Sequence, residues 1–91
     1  MPKQHHYPFK IYFGSECYKV KFKKNLDCYG KTNSSTKTIT IKSGMSKRET
    51  FATFIHELLH VIEFEAPIKI KHKTIYKLER AITELILDNF L

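Results

Sequence analysis

The fold is decided by the stretch Thr53-Phe54-Ile55-His56-Glu57-Leu58-Leu59-His60-Val61-Ile62-Glu63, which combines an apolar helical sequence with a His-Glu-x-x-His spacing. Residues four apart on a helix lie one above the other, so His56 and His60 can present imidazole nitrogens to one point. Such a pair is half of a tetrahedral zinc site. The alternative is a core helix with two coincidental histidines, and the glutamate between them argues against it.

Glu57 lies about 100° around the same helical turn, which places it beside the metal rather than on it. A carboxylate in that position can take a proton from a zinc-bound water, whose pKa the metal lowers to about 7. We therefore predict His56 and His60 as metal ligands and Glu57 as the catalytic general base. Glu63, one turn after His60, is interpreted as a solvated residue.

These residues resemble the motif of the zincin metallopeptidases, in particular the small phage-encoded and ImmA/IrrE-like members of the gluzincin group. In that group the third ligand is a glutamate on a later helix, in a pattern close to Glu-x-x-Ala-Asn-x-Leu/Phe. The segment 78–85 matches this pattern in outline and implies Glu79 as the third ligand, with Thr83 in place of the Asn. The resemblance extends over roughly residues 18–89 and is strongest at the motif. Metzincins are disfavoured because Glu63 and Ala66 stand where they have a glycine and a third histidine.

The resemblance implies an enzyme that hydrolyses peptide bonds, with one catalytic Zn²⁺ on His56, His60 and Glu79 and a peptide or protein as substrate. Larger gluzincins shape their cleft with a C-terminal subdomain, so activity of this chain alone is expected to be low or dependent on a partner. His72 competes with Glu79 for the third-ligand position. His72 or Tyr76 is also a candidate donor to the oxyanion of the transition state.

A non-catalytic alternative is a zinc-containing regulatory module that binds nucleic acid or protein through a basic surface. Glu57 distinguishes the two functions, because a structural zinc site does not need a general base. The sequence carries 16 Lys and Arg against nine acidic residues, a net charge of +7. Lys19, Lys21 and Lys23 alternate with apolar residues, which favours the solvated face of a sheet over a nucleic-acid surface.

The chain, residues 1–91, is predicted to be one α+β domain of minimal zincin-like type, with residues 1–8 as an irregular arm. We expect a small twisted sheet of three or four strands, packed against the central motif helix and a second, C-terminal helix. The predicted strands are 9–13, 18–23 and 36–42, with a possible short strand at 28–31, and the predicted helices are 47–65 and 75–90. The strand 36–42 is either an edge strand beside which a substrate peptide lies or an internal strand.

Cys17 and Cys28 are interpreted as free thiols, because no Cys-x-x-Cys spacing is present and the expected location is the cytoplasm. That location follows from the absence of a long apolar run and of an apolar signal region in residues 1–10. No membrane partner is expected, and the sequence leaves the oligomeric state open.

Overall fold

A computed structural model describes residues 7–90, which form four strands and two helices. In chain order these are β1 (Lys10–Phe13), β2 (Glu16–Lys23), β3 (Gly30–Asn33), β4 (Thr38–Lys42), α1 (Lys47–Glu65) and α2 (His72–Asn89). The predicted α+β class is therefore confirmed. Residues 1–6 of the predicted N-terminal arm lie outside the described residues.

The sheet is mixed, with the spatial order β1-β2-β4-β3. β1 and β2 form an antiparallel hairpin, β2 and β4 are parallel, and β3 and β4 are antiparallel. β4 is therefore internal, the second of the two alternatives left open by the sequence, and it is not the edge strand beside which a substrate peptide could lie. β3 is the edge strand on that side, because the polar segment after Tyr29 pairs with β4 instead of serving only as a connection.

One face of the sheet forms the core. Its buried side chains come from alternate positions of β2 and β4, as the period-two pattern predicts, and they are Tyr18, Val20, Ile39 and Ile41. Phe54 and Val61 of α1 complete the cluster. α1 packs against β3 and β4, and α2 packs against α1, so the order of layers is sheet, α1, α2. Within residues 7–90, neither helix has the length and apolar character needed to cross a bilayer.

Both ends of α1 agree with the prediction from sequence. The Ser46 hydroxyl accepts a hydrogen bond from the Glu49 amide at 3.1 Å, and the Glu49 carboxylate accepts one from the Ser46 amide at 3.3 Å. This capping box satisfies two amides at the start of the helix. α2 begins at His72, three residues before the predicted start at Ile75, and its N-cap residue makes no side-chain hydrogen bond. With no capping residue to mark the start, the apolar pattern alone placed it too late.

A cluster of polar side chains holds the end of α1 to the sheet. The Tyr18 hydroxyl donates to Glu65 at 2.7 Å, and Lys37, in the turn before β4, forms ion pairs with both Glu65 and Glu16. Burial, reinforced by the hydrogen bond to Glu65, raises the pKa of Tyr18 to about 12. The hydrogen bond from Lys37 and then that from Tyr18 lower the pKa of Glu65. Glu65 is therefore ionised at neutral pH and joins α1, β2 and the β3–β4 turn.

Replacing Glu65 with Gln should lower the melting temperature at pH 7, because the ionised carboxylate is stabilised by Lys37 and Tyr18. A lowered folded-state pKa means that this stabilisation is present above the ordinary carboxyl pKa and is lost as the pH falls through the folded value. The difference between wild type and Glu65→Gln should therefore shrink at about pH 3. Thermal unfolding at both pH values measures it, with Glu84→Gln, an exposed glutamate of α2, as control. An equal difference at both pH values would contradict this account.

Candidate metal centre

His56 and His60 lie on consecutive turns of α1 with their Nε2 atoms 3.2 Å apart. Two nitrogens bound at about 2.0–2.1 Å to one tetrahedral zinc lie about 3.3–3.4 Å apart. The spacing of the pair is therefore close to that of two ligands of one ion. Both side chains are mostly buried, with 16% and 19% of their surface exposed, so few water molecules compete for these nitrogens.

A carboxylate contacts the outer nitrogen of each ring. Nδ1 of His56 lies 2.7 Å from Glu79 Oε1, and Nδ1 of His60 lies 2.7 Å from Glu63 Oε1. An ionised carboxylate only accepts hydrogen bonds, so the partners assign the proton of each ring to Nδ1. In the neutral rings both Nε2 atoms then carry lone pairs that face each other. Two such lone pairs repel each other, and a metal ion bound to both nitrogens would remove this repulsion.

Glu63 is fixed by a second interaction, since its Oε2 accepts a hydrogen bond from the Ile70 amide at 3.1 Å. This backbone bond, followed by the bond to His60, lowers the pKa of Glu63. The interpretation of Glu63 as a solvated residue was therefore wrong. Its carboxylate orients His60 and ties the connection between the two helices to α1, a role that depends on where residues 66–71 fold back.

Glu79 is brought to the site, but on the outer side of His56. Its Oε1 binds Nδ1, while the nitrogen that faces His60 is Nε2. Within residues 7–90 no group of three or more His, Cys, Asp or Glu side chains is arranged to hold a metal ion. The pair of histidines is thus assembled without a third ligand, and direct ligation by Glu79 stays a prediction.

α2 also brings His72 and Tyr76 to the histidine pair. The ring centroids of His72 and His60 are 5.8 Å apart, and those of Tyr76 and His56 are 5.2 Å apart. Positions 72, 76 and 79 lie on one stripe of the helix. The predicted second helix began at Ile75, after His72, whereas His72 is the first residue of α2 and is oriented by that helix.

Glu57 points to the sheet side of α1 and is only 4% exposed. Its Oε1 accepts a hydrogen bond from the Thr32 hydroxyl of β3 at 2.7 Å. Gly30 lets β3 approach this closely, because a Cβ there would lie 2.6 Å from Thr53 Cγ2 and 3.2 Å from Glu57 Oε2. Sequence reasoning missed Thr32 and Gly30. A glycine in a short strand is a signal of close backbone approach and could have identified the contact.

On α2, close to Glu79, the hydroxyl of Thr83 is a buried polar group without a hydrogen-bond partner among the described residues. The Thr83 side chain is 3% exposed. Thr83 lies one turn after Glu79 on α2, at the position where the gluzincin pattern has an asparagine.

Comparison with known proteins gives no relative: the chain matches no protein-family model, no curated protein and no solved structure. The resemblance to the zincin metallopeptidases therefore stays a prediction based on the motif at 56–60 and on Glu79. Cys17 is half-buried and Cys28 is exposed, and both are free, as predicted.

Replacing Gly30 with Ala should destabilise the fold by about 1–3 kcal/mol, the usual cost of overpacking. The added methyl group would meet Thr53 Cγ2, and it would lie 3.1 Å from the Thr40 carbonyl oxygen. Urea unfolding at neutral pH measures the loss. Thr53→Ser removes the closest atom, so the double variant should recover part of the stability. No recovery would contradict the assigned contact.

Proposed function

We propose that this protein is a zinc-dependent peptide hydrolase in which His56 and His60 hold the ion and Glu57 acts as the general base. The observation that carries the proposal is the convergence of two Nε2 atoms at 3.2 Å, each on a ring whose Nδ1 binds a carboxylate. Histidine ligands of metals almost always donate their other N–H to a carboxylate, a carbonyl or water. The packing of α1 between the sheet and α2 is interpreted, as part of this proposal, as a minimal zincin-like domain.

The donor set fits zinc. Neutral imidazole nitrogens are among the preferred zinc ligands, and the hydrogen bonds from Nδ1 to Glu79 and Glu63 fix the tautomer and the orientation of both rings. The remaining protein ligand comes from α2. Glu79 is the first candidate, as the gluzincin pattern implies, and to bind the ion its carboxylate would have to leave Nδ1 of His56 for the side of Nε2. His72 is the second candidate because its ring already lies beside His60.

A bound zinc ion supplies Lewis acidity and lowers the pKa of a coordinated water toward about 7. Glu57 would accept the proton of the attacking water at its carboxylate and return it to the leaving amine. In the structure this carboxylate is 4% exposed and hydrogen-bonded to Thr32 on the sheet side of α1, so the role requires it to leave Thr32 and turn toward the histidine pair. Tyr76 and His72, both exposed on α2, are the proposed donors to the oxyanion.

The position of β3 supports an extended peptide as substrate. β3 is an edge strand, and an extended peptide can add to such an edge through main-chain hydrogen bonds. Thr32, in the middle of β3, is hydrogen-bonded to Glu57. A peptide paired with β3 would therefore be bound beside the strand that carries the partner of the general base.

Glu57→Gln should abolish peptide cleavage and leave zinc content unchanged. The amide cannot accept the proton, and general base catalysis typically contributes about 10²–10⁴-fold to the rate. Cleavage of a pool of internally quenched peptides and metal analysis of the purified protein measure the two effects, with Glu84→Gln as control. Equal cleavage by wild type and Glu57→Gln would contradict the role of Glu57. Zinc bound at one equivalent without any cleavage by wild type would favour the non-catalytic module.

Zinc affinity should distinguish the candidate third ligands. Loss of a direct ligand on α2 should remove the bound metal, whereas loss of an outer partner of a histidine typically lowers affinity by about 10–100-fold. Competition with a chromophoric chelator measures affinity for Glu79→Ala, His72→Ala and Glu63→Gln. We expect the largest loss in Glu79→Ala and a smaller one in Glu63→Gln. Metal retained in Glu79→Ala but lost in His72→Ala would contradict the assignment of Glu79.

A further inference from the structure

The sheet has a second face, opposite α1, that is covered with lysines. We call this the lysine face and define it by the outward side chains of Lys10, Lys19, Lys21, Lys23, Lys31 and Lys42. They alternate along their strands with the core-facing residues, and their partners across the ladders lie on the same face. Five of the six side chains are exposed and Lys42 is half-buried.

The register brings these charges close together. Lys10 lies opposite Lys19 and Lys23 lies opposite Lys42, while Lys21 and Lys31 flank Thr40 from its two sides. Like charges directly opposite each other on neighbouring strands destabilise a sheet. A face that served only solubility could interleave both signs without this cost.

Most of the positive net charge is carried by the part of the chain that forms the sheet. Residues 10–42 contain eight lysines and two acidic residues, whereas residues 47–90 contain seven basic and seven acidic residues. Of the two acids, Glu16 is bound by Lys37, and Asp27 lies in the connection between β2 and β3. No carboxylate of the strands therefore lies among the side chains of the lysine face, and the electrostatic potential above this face is positive throughout.

Two exposed tyrosines lie at opposite ends of this face. Tyr12 pairs with Cys17 near the start of β2, and Tyr29 directly precedes β3, where its carbonyl accepts a hydrogen bond from the Lys42 amide at 2.8 Å. They are 66% and 62% exposed. The six steps between residues from Cys17 to Lys23 span about 20 Å of extended strand. Between the two ends lies a depression of about 590 Å³ whose lining includes Lys21, Lys31 and Thr40.

We propose that the lysine face binds single-stranded nucleic acid, with phosphates on the lysines and bases stacked on Tyr12 and Tyr29. Nonspecific single-strand sites combine a basic groove with aromatic side chains, because every base has a face that can stack. Lys19, Lys21 and Lys23 repeat about every 6.7 Å along β2, an interval comparable to that of successive phosphates in an extended strand. An anionic membrane would favour apolar side chains among the lysines, whereas the centre of this face carries Thr38 and Thr40. The site lies across the sheet from α1 and is separate from the metal centre.

The test uses the full chain and fluorescein-labelled oligothymidine and oligouridine of about 12 nucleotides, a length within the usual site size. Fluorescence anisotropy gives the affinity between about 50 and 200 mM salt, and each phosphate contact contributes about −0.7 to the slope of log affinity against log salt. Contact with four or more phosphates should give a slope of about −3 or steeper. Binding of either oligonucleotide supports the proposal. Tighter binding of a duplex of equal length would overturn it. So would failure to bind either oligonucleotide, whether or not phosphatidylserine vesicles are bound.

Matched double variants distinguish binding by the lysine face from a general effect of the protein's positive charge. Lys21→Gln with Lys31→Gln should make the slope shallower by about 1.4, the contribution of two contacts. Lys47→Gln with Lys77→Gln changes the charge equally on the helical half and should leave the slope unchanged. Tyr12→Leu and Tyr29→Leu should each lower affinity at least fivefold, at the lower end of the measured stacking effect, with the slope unchanged. An equal change of the salt slope in the Lys21/Lys31 and Lys47/Lys77 double variants would overturn the proposal. Circular dichroism melting of each variant confirms that it is folded.

Discussion

Two imidazole nitrogens facing each other at 3.2 Å are the constraint on which the functional part of this structure depends. The neutral rings would repel at this distance, and the carboxylates on their outer nitrogens prevent both from turning the protons inward. Glu63 and Glu79 therefore do more than neutralise charge, since they fix which nitrogen of each ring is available. The connection between the helices and α2 itself are held in place by the same two carboxylates.

The contact of Glu79 with His56 is important for α2 because that helix buries few side chains. On α2 only Ile75 and Thr83 are buried, and the Thr83 hydroxyl is without a partner among the described residues. The contacts of Glu79 with His56 and of Asp88 with Arg48 add polar links between α2 and α1. In a chain of 91 residues the hydrophobic core is small, so such links add to a limited apolar stabilisation.

Local signals in the sequence were sufficient for much of the fold. The helix predicted at 47–65 has the same bounds as α1, and the alternation of apolar and polar residues in β2 and β4 predicted which side chains form the core. β3 was predicted poorly, because its four residues lack an apolar pattern and it is held by pairing with β4 and by contact with α1. The partners of Glu57 and Glu63 were missed for the same reason. Thr32 lies 25 residues from Glu57, and the Ile70 amide reaches Glu63 only because the connection between the helices folds back onto α1, so no local pattern encodes either contact.

The parallel pairing of β2 with β4 has a further consequence. It aligns segments that are nineteen positions apart, with Lys19 opposite Thr38 and Lys23 opposite Lys42. Side chains alternate between the two faces of a strand, so a slip of one residue would turn every lysine of β2 into the hydrophobic interior and expose Tyr18 and Val20 to water. The burial of charge makes such a shifted register highly unfavourable. The lysines that give the sheet its positive charge thus also favour the observed register of β2 with β4 over a shifted one.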